Sequence, residues 1–171
     1  MMSWVVRSVV PAVILGILCG AVMAADLSAV GQWLDKYPDE TLAGSKSLWE
    51  QPGVEAAMRA AMGEHYFSLS KTELHGPEGP VAGDKKGVFA AWSCKSQDCG
   101  GNQMTVFFDS NKGSAQVCWR SSVSDDGEVH DLWLADGKER PLHMNACGFA
   151  EKEPFAALKK FGGAPAGGKP L

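Results

Sequence analysis

The side chains best placed to do chemistry in this sequence of 171 residues are five cysteines and four histidines. His65, His75, His130 and His143 share no metal-ligand spacing, so each reads as a surface or capped side chain. The sequence carries no nucleophile elbow, Walker loop or His-Glu-x-x-His. Cys94 and Cys99 enclose four residues, which is not the redox Cys-x-x-Cys spacing. The run Asp125-Asp126-Gly127-Glu128 supplies carboxylates but lacks the alternating oxygen ligands of a calcium loop, and reads as a solvated turn. The expectation is a protein that is not an enzyme, with no catalytic residue, no metal and no cofactor.

The odd cysteine points elsewhere. Met1 to Arg7 ends in one positive charge, Val9 to Leu18 is apolar and uncharged, and Ala21-Val22-Met23-Ala24 offers small residues for a signal peptidase. That order is a secretory signal peptide, with an apolar stretch short of the roughly 20 residues a span needs. Cys19 follows Leu18, where lipoprotein processing favours a small residue, so cleavage after Ala24 is expected instead. Cleavage discards Cys19 and leaves Cys94, Cys99, Cys118 and Cys147. Four cysteines in an exported chain read as two disulfides with three connectivities. Proximity in sequence favours Cys94–Cys99, which leaves Cys118–Cys147. The formal charge of −4 removes the electrostatic basis for a general nucleic-acid binder, and no membrane attachment is expected after cleavage.

These residues need a scaffold, and the pattern changes along the chain. Asp26 is placed to cap a helix carrying Leu27, Val30, Trp33 and Leu34, ending before Pro38. After a turn-rich stretch from Pro38 to Ser47, Pro52 suits a first helical position and Val54 to Met62 is helical by propensity. Gly63 reads as a stop or hinge, and His65 to Leu74 as a second helix. His75 to Lys86 reads as a loop. The period then moves toward two: strands are expected over Gly87–Trp92 and on into Cys94, over Gln103–Asp109, over Ala115–Arg120 after the hairpin Ser110–Gly113, and over Val129–Leu134. A short helix is expected over Phe155–Phe161. The fold class is α+β: an antiparallel meander with helices packed on one face. The expected organisation is a signal peptide over 1–24, one domain over 25–161 and a flexible tail over 162–171.

Within this scheme the segment Cys94-Lys95-Ser96-Gln97-Asp98-Cys99-Gly100 stands out. A disulfide closing so small a ring contributes only about 2 kcal/mol by chain entropy. It does, however, confine Lys95, Ser96, Gln97 and Asp98 to few conformations, and a loop ordered in advance binds at lower cost. The segment resembles the Cys-Lys-Pro-His-Asp-Cys loop of the Ivy family, periplasmic inhibitors of vertebrate c-type lysozyme. The likeness extends from about Leu48 to Gly148.

The resemblance implies an antiparallel sheet with helices, a periplasmic location and a protein partner: c-type lysozyme or a related glycan-cleaving enzyme. It implies that the loop enters the enzyme's cleft, with Lys95 supplying positive charge, Asp98 ordering the loop or touching the rim, and Cys94 and Cys99 closing the ring. The family also implies a homodimer as one arrangement, though no helix face or strand edge in the sequence marks its interface. Two positions depart from the family loop. Ser96 replaces proline, which loosens the loop before binding. Gln97 replaces histidine; its amide still donates hydrogen bonds but cannot become cationic. The departures imply weaker inhibition of c-type lysozyme or a different glycan-cleaving target.

Overall fold

The computed structural model describes residues 24–42, 44–122 and 129–163. The expected signal peptide up to Met23, the expected turn Asp125–Glu128 and the expected tail from Ala164 onward lie outside the described residues. Six strands follow one helix: α1 (Pro52–Glu73), then β1 (Glu78–Gly83), β2 (Val88–Cys94), β3 (Gln103–Asp109), β4 (Ser114–Ser121), β5 (His130–Ala135) and β6 (Lys138–Pro141). Each strand pairs antiparallel with the next, giving a sheet in simple sequence order. Two short helices follow the sheet, α2 (Ala146–Lys152) and α3 (Pro154–Ala157), the latter running into a π turn at Leu158–Gly162. The α+β class and the meander are those expected.

Helix α1 begins as its sequence suggests, with Pro52 in the first turn, Glu55 near the N-terminus and Lys71 near the C-terminus to complement the dipole. It breaks at Gly63, whose φ of 72° only glycine adopts without cost. The break divides the helix into two halves, both of which contribute side chains to the core against the sheet. Val54, Ala57, Met58, Ala61 and Met62 from the first half and Phe67 from the second pack on Met104, Val106 and Phe108 of β3 and on Val117 and Trp119 of β4.

The opposite face carries Phe107, Cys118 and Trp133, covered by Ala146, Cys147 and Ala150 of α2, by Ala157 and by Phe161. Phe107 and Trp133 stack with ring centroids 5.3 Å apart. The expected single helical cover is therefore α1, while the C-terminal helices add a second on the other face. This explains why β3 is buried at every position but its last: a strand covered on both sides shows no alternation.

Several local expectations need correction. Asp26 does not start a long helix; its Oδ1 accepts from the Ser28 amide at 3.0 Å, an Asx turn, and only a 3-10 turn over Val30–Trp33 follows. The loop expected from His75 to Lys86 contains β1, with Pro80 inside it and a register shift between Gly79 and Ala82. An outer strand tolerates the missing proline N–H. The chain around Leu34–Lys36 runs beside β1, with the Asp35 amide donating to the Val81 carbonyl at 2.9 Å. Strand β6 and helix α2 were not expected. Lys-Glu-Arg-Pro is the charged, proline-ended composition that protects a sheet edge, and Gly148 lies inside α2. The helix expected over Phe155–Phe161 is α3 and the π turn.

Candidate functional site

Strand β2 ends at Cys94 and β3 starts at Gln103, so the intervening residues form the hairpin connection between two interior strands, at one end of the sheet. Cys94 is bonded to Cys99, with Cα atoms 4.9 Å apart. Backbone hydrogen bonds tighten the ring: Lys95 donates to the Asn102 carbonyl at 2.9 Å, Asp98 to that of Lys95 at 3.0 Å, and Asn102 to that of Asp98 at 2.9 Å. The Asn102 amide group donates to Asp98 Oδ2 at 2.5 Å and to Ser122 Oγ at 2.8 Å, which fixes Asp98 against β4. Ser96 and Gln97 are left exposed at the tip. Gln97 has a φ of 67°, a left-handed conformation that costs a non-glycine residue energy and persists where its surroundings enforce it.

Two neighbours support this loop from behind. Lys95 Nζ lies 2.6 Å from Glu73 Oε2 at the end of α1, each side chain a little under half exposed. That hydrogen bond holds the Lys95 pKa above the ordinary lysine value, so the side chain is a fixed cation whose charge is largely answered within the protein. Gly76 donates its amide to the Cys94 carbonyl at 2.8 Å, and a Cβ on it would sit 2.4 Å from the Ser96 nitrogen. Gly76→Ala is expected to push the loop outward and to cost about 1–3 kcal/mol, as overpacking does. Amide chemical shifts at Lys95 and Ser96 together with a urea titration check this. Lys95→Met, by contrast, is expected to leave the urea midpoint unchanged, since exposed ion pairs contribute little; a shift in that midpoint of more than experimental error counts against it.

The second disulfide, Cys118–Cys147, ties β4 to α2 with Cα atoms 5.4 Å apart. Beside it is a buried ion pair that residue types alone did not reveal. Arg120 Nε donates to Asp131 Oδ1 at 2.7 Å and Nη2 to Oδ2 at 2.9 Å, a two-pronged contact between paired positions of β4 and β5. Asp131 Oδ2 also accepts from the Cys147 amide at 3.0 Å, and Arg120 reaches the Gly100 carbonyl at 3.4 Å and Asn145 Oδ1 at 3.3 Å. One guanidinium thus joins the end of the loop, two strands and the start of α2.

A groove of about 760 Å³ runs from the loop base between the second half of α1 and the β4–β5 face, with Lys95 and Asn102 in its wall and Tyr66, Leu69, Trp119 and Met144 along it. Tyr66 meets Trp119 edge to face, centroids 5.4 Å apart. Burial and, secondarily, the Glu139 carboxylate push the Tyr66 phenol up to about 12, so it stays protonated.

Lys95, Ser96, Gln97 and Asp98, consecutive in sequence, lie within the Cys94–Cys99 ring, whereas Cys118 and Cys147 form a separate link between β4 and α2. Glu73, Gly76, Asn102, Arg120 and Asp131 were missed because strand register and helix placement, not local motifs, bring them there. His65 and His130 both line the groove, but among the described residues no group of three His, Cys, Asp or Glu side chains is placed to hold a metal. Among them, too, no helix is long and apolar enough to cross a membrane.

Fold and site together define a small α+β domain that presents a disulfide-closed loop at one end of an antiparallel meander. The chain belongs to the Ivy family: the family model described as inhibitor of vertebrate lysozyme matches residues 53–141, just over half of its length. Comparison with curated proteins and with solved structures gives no match. The two disulfides fit an exported protein.

Proposed function

We propose that this protein is an exported inhibitor of c-type lysozyme that inserts the Cys94–Cys99 loop into the enzyme's active-site cleft, and that it works in the periplasm after removal of the signal peptide over 1–24. The domain that does so covers residues 25–161. The observation that carries the reading is the loop itself, in a chain of an inhibitor family: closed by a disulfide, braced by three backbone hydrogen bonds, and exposing Ser96 and Gln97 at its tip.

The chemistry follows from the target. A glycosidase cleft holds a carboxylic acid and a carboxylate flanking the scissile bond. A plug needs donors for those groups and must bring little disorder into the cleft. Gln97 supplies two amide N–H donors and Ser96 a hydroxyl. Lys95 and Asp98 act chiefly on the loop, through Glu73 and Asn102 respectively. The inhibitor makes and breaks no covalent bond.

The test is a turbidity assay of bacterial cell walls with vertebrate lysozyme and increasing oxidised protein. Lysis is expected to slow in proportion to the protein added; undiminished lysis at micromolar protein, with no complex by calorimetry, would sink the reading. Gln97 in place of the family histidine favours a second reading, in which the same loop serves an endogenous lytic transglycosylase, or in which the domain has become a binding module without inhibitory activity. Substituting a purified lytic transglycosylase for lysozyme in the same assay separates them.

A further inference from the structure

A four-residue loop is far smaller than the 20–30 residues a side, or about 800 Å² per partner, that a stable protein interface uses. Tight inhibition by the loop therefore needs neighbouring surface, and the structure offers one concave, partly apolar candidate directly beside it. The groove along Tyr66, Leu69 and Trp119 is continuous with the loop base, because Lys95 belongs to both. Its rim carries Met144, 78% exposed, and His65, also exposed. Trp119 itself is 4% exposed, and its indole N–H has no hydrogen-bond partner.

We propose that this groove is the second half of the inhibitor's interface: with the loop in the cleft, it seats an apolar side chain from the rim of the same glycan-cleaving enzyme against Tyr66, Leu69 and Trp119. The inference rests on the inhibitor reading and extends it from a loop to a two-part contact. The division of labour is physical. The polar loop answers the carboxylates of the cleft, whereas the groove removes apolar surface from water and so slows dissociation. Met144 and His65 flank the seated side chain; neither belongs to the packed core, so both can be truncated without disturbing the fold.

The test measures dissociation of the native protein and of the His65→Ala/Met144→Ala form from vertebrate lysozyme, alongside ¹⁵N spectra of the Trp119 indole. The double variant is expected to bind at least ten-fold more weakly, chiefly through faster dissociation, with an unchanged urea midpoint, and lysozyme is expected to shift the indole resonance of the native protein. Unchanged affinity with a stationary indole resonance overturns the groove and leaves the loop reading standing. A resonance that moves with a chitin oligosaccharide alone makes the groove a glycan site and also overturns it. If native protein forms no complex with lysozyme or lytic transglycosylase, both readings fall together.

Discussion

Asp131→Ala is expected to lower folding stability by about 3–5 kcal/mol, a large share of the roughly 5–15 kcal/mol available to a domain. Side-chain exposure is 7% for Arg120 and 0% for Asp131, so the pair sits where water cannot replace a lost partner. Removal of the carboxylate leaves the guanidinium with only its longer contacts to Gly100 and Asn145, and leaves the Cys147 amide without the acceptor at 3.0 Å. Much of the cost is the stranded cation and not the intrinsic worth of the pair. Arg120→Met/Asp131→Leu, which removes both charges and keeps volume, is accordingly expected to recover most of the loss. Urea unfolding of the three proteins decides it. If Asp131→Ala unfolds within 1 kcal/mol of native, roughly the worth of a surface ion pair, the network is not the anchor its geometry suggests.

That anchor also shows what a sequence can and cannot reveal. Strands β2, β3 and β4 were legible because their residues alternate or run apolar between clear turn signals, as from Gln103 to Asp109 and across Ser110–Gly113. The break at Gly63 was legible because glycine interrupts an otherwise helical run. Strand β1 was hidden by Gly79 and Pro80, which signal a turn to a local reading and are tolerated only because the strand is outermost and irregular in register. Asp26 misled in the opposite sense: a helix cap and an Asx turn use the same side-chain acceptor, and tertiary packing of Leu27, Val30 and Trp33 selects the turn.

The candidate site divides in the same manner. The ring from Cys94 to Cys99 is local, so its cysteines and the four residues between them could be read directly. What orders the ring is not local. Glu73 reaches Lys95 from the end of a helix, Gly76 supports the Cys94 carbonyl from the start of the β1 connection, and Arg120 meets Gly100 only because β4 and β5 pair in one register. Nothing in residue type foretells that Lys95, the cation a carboxylate-lined cleft would attract, is already paired within its own chain. Selection for a firm loop and selection for a free charge are in conflict here, and the geometry favours firmness.

Opening the ring tests that preference directly. On the function proposed above, Cys94→Ser/Cys99→Ser, with Cys118–Cys147 intact, is expected to reduce lysozyme inhibition roughly 10- to 100-fold, which corresponds to about 1.4–2.7 kcal/mol. The magnitude comes from ordering: each immobilised side chain in an interface costs about 0.5–1.5 kcal/mol, and the disulfide settles that cost for Lys95 through Asp98 before contact. Part of the loop should survive reduction, because the Lys95–Asn102 and Asp98–Lys95 backbone bonds remain and the Asn102 side chain still holds Asp98. For that reason the expected loss stops short of abolition. Stability should fall by about 2 kcal/mol from the opened ring. Serine at position 94 has an acceptor at hand, since Cys94 Sγ lies 3.3 Å from the Pro77 carbonyl. Inhibition is therefore compared under conditions where both forms are folded by near-ultraviolet circular dichroism. The two quantities then come apart in an informative way. A variant that is less stable but equally potent makes the disulfide a hairpin staple. A variant that is folded and markedly weaker makes it the device that shapes the inhibitory tip, with Gln97 held at its positive φ by a covalent ring instead of by the enzyme.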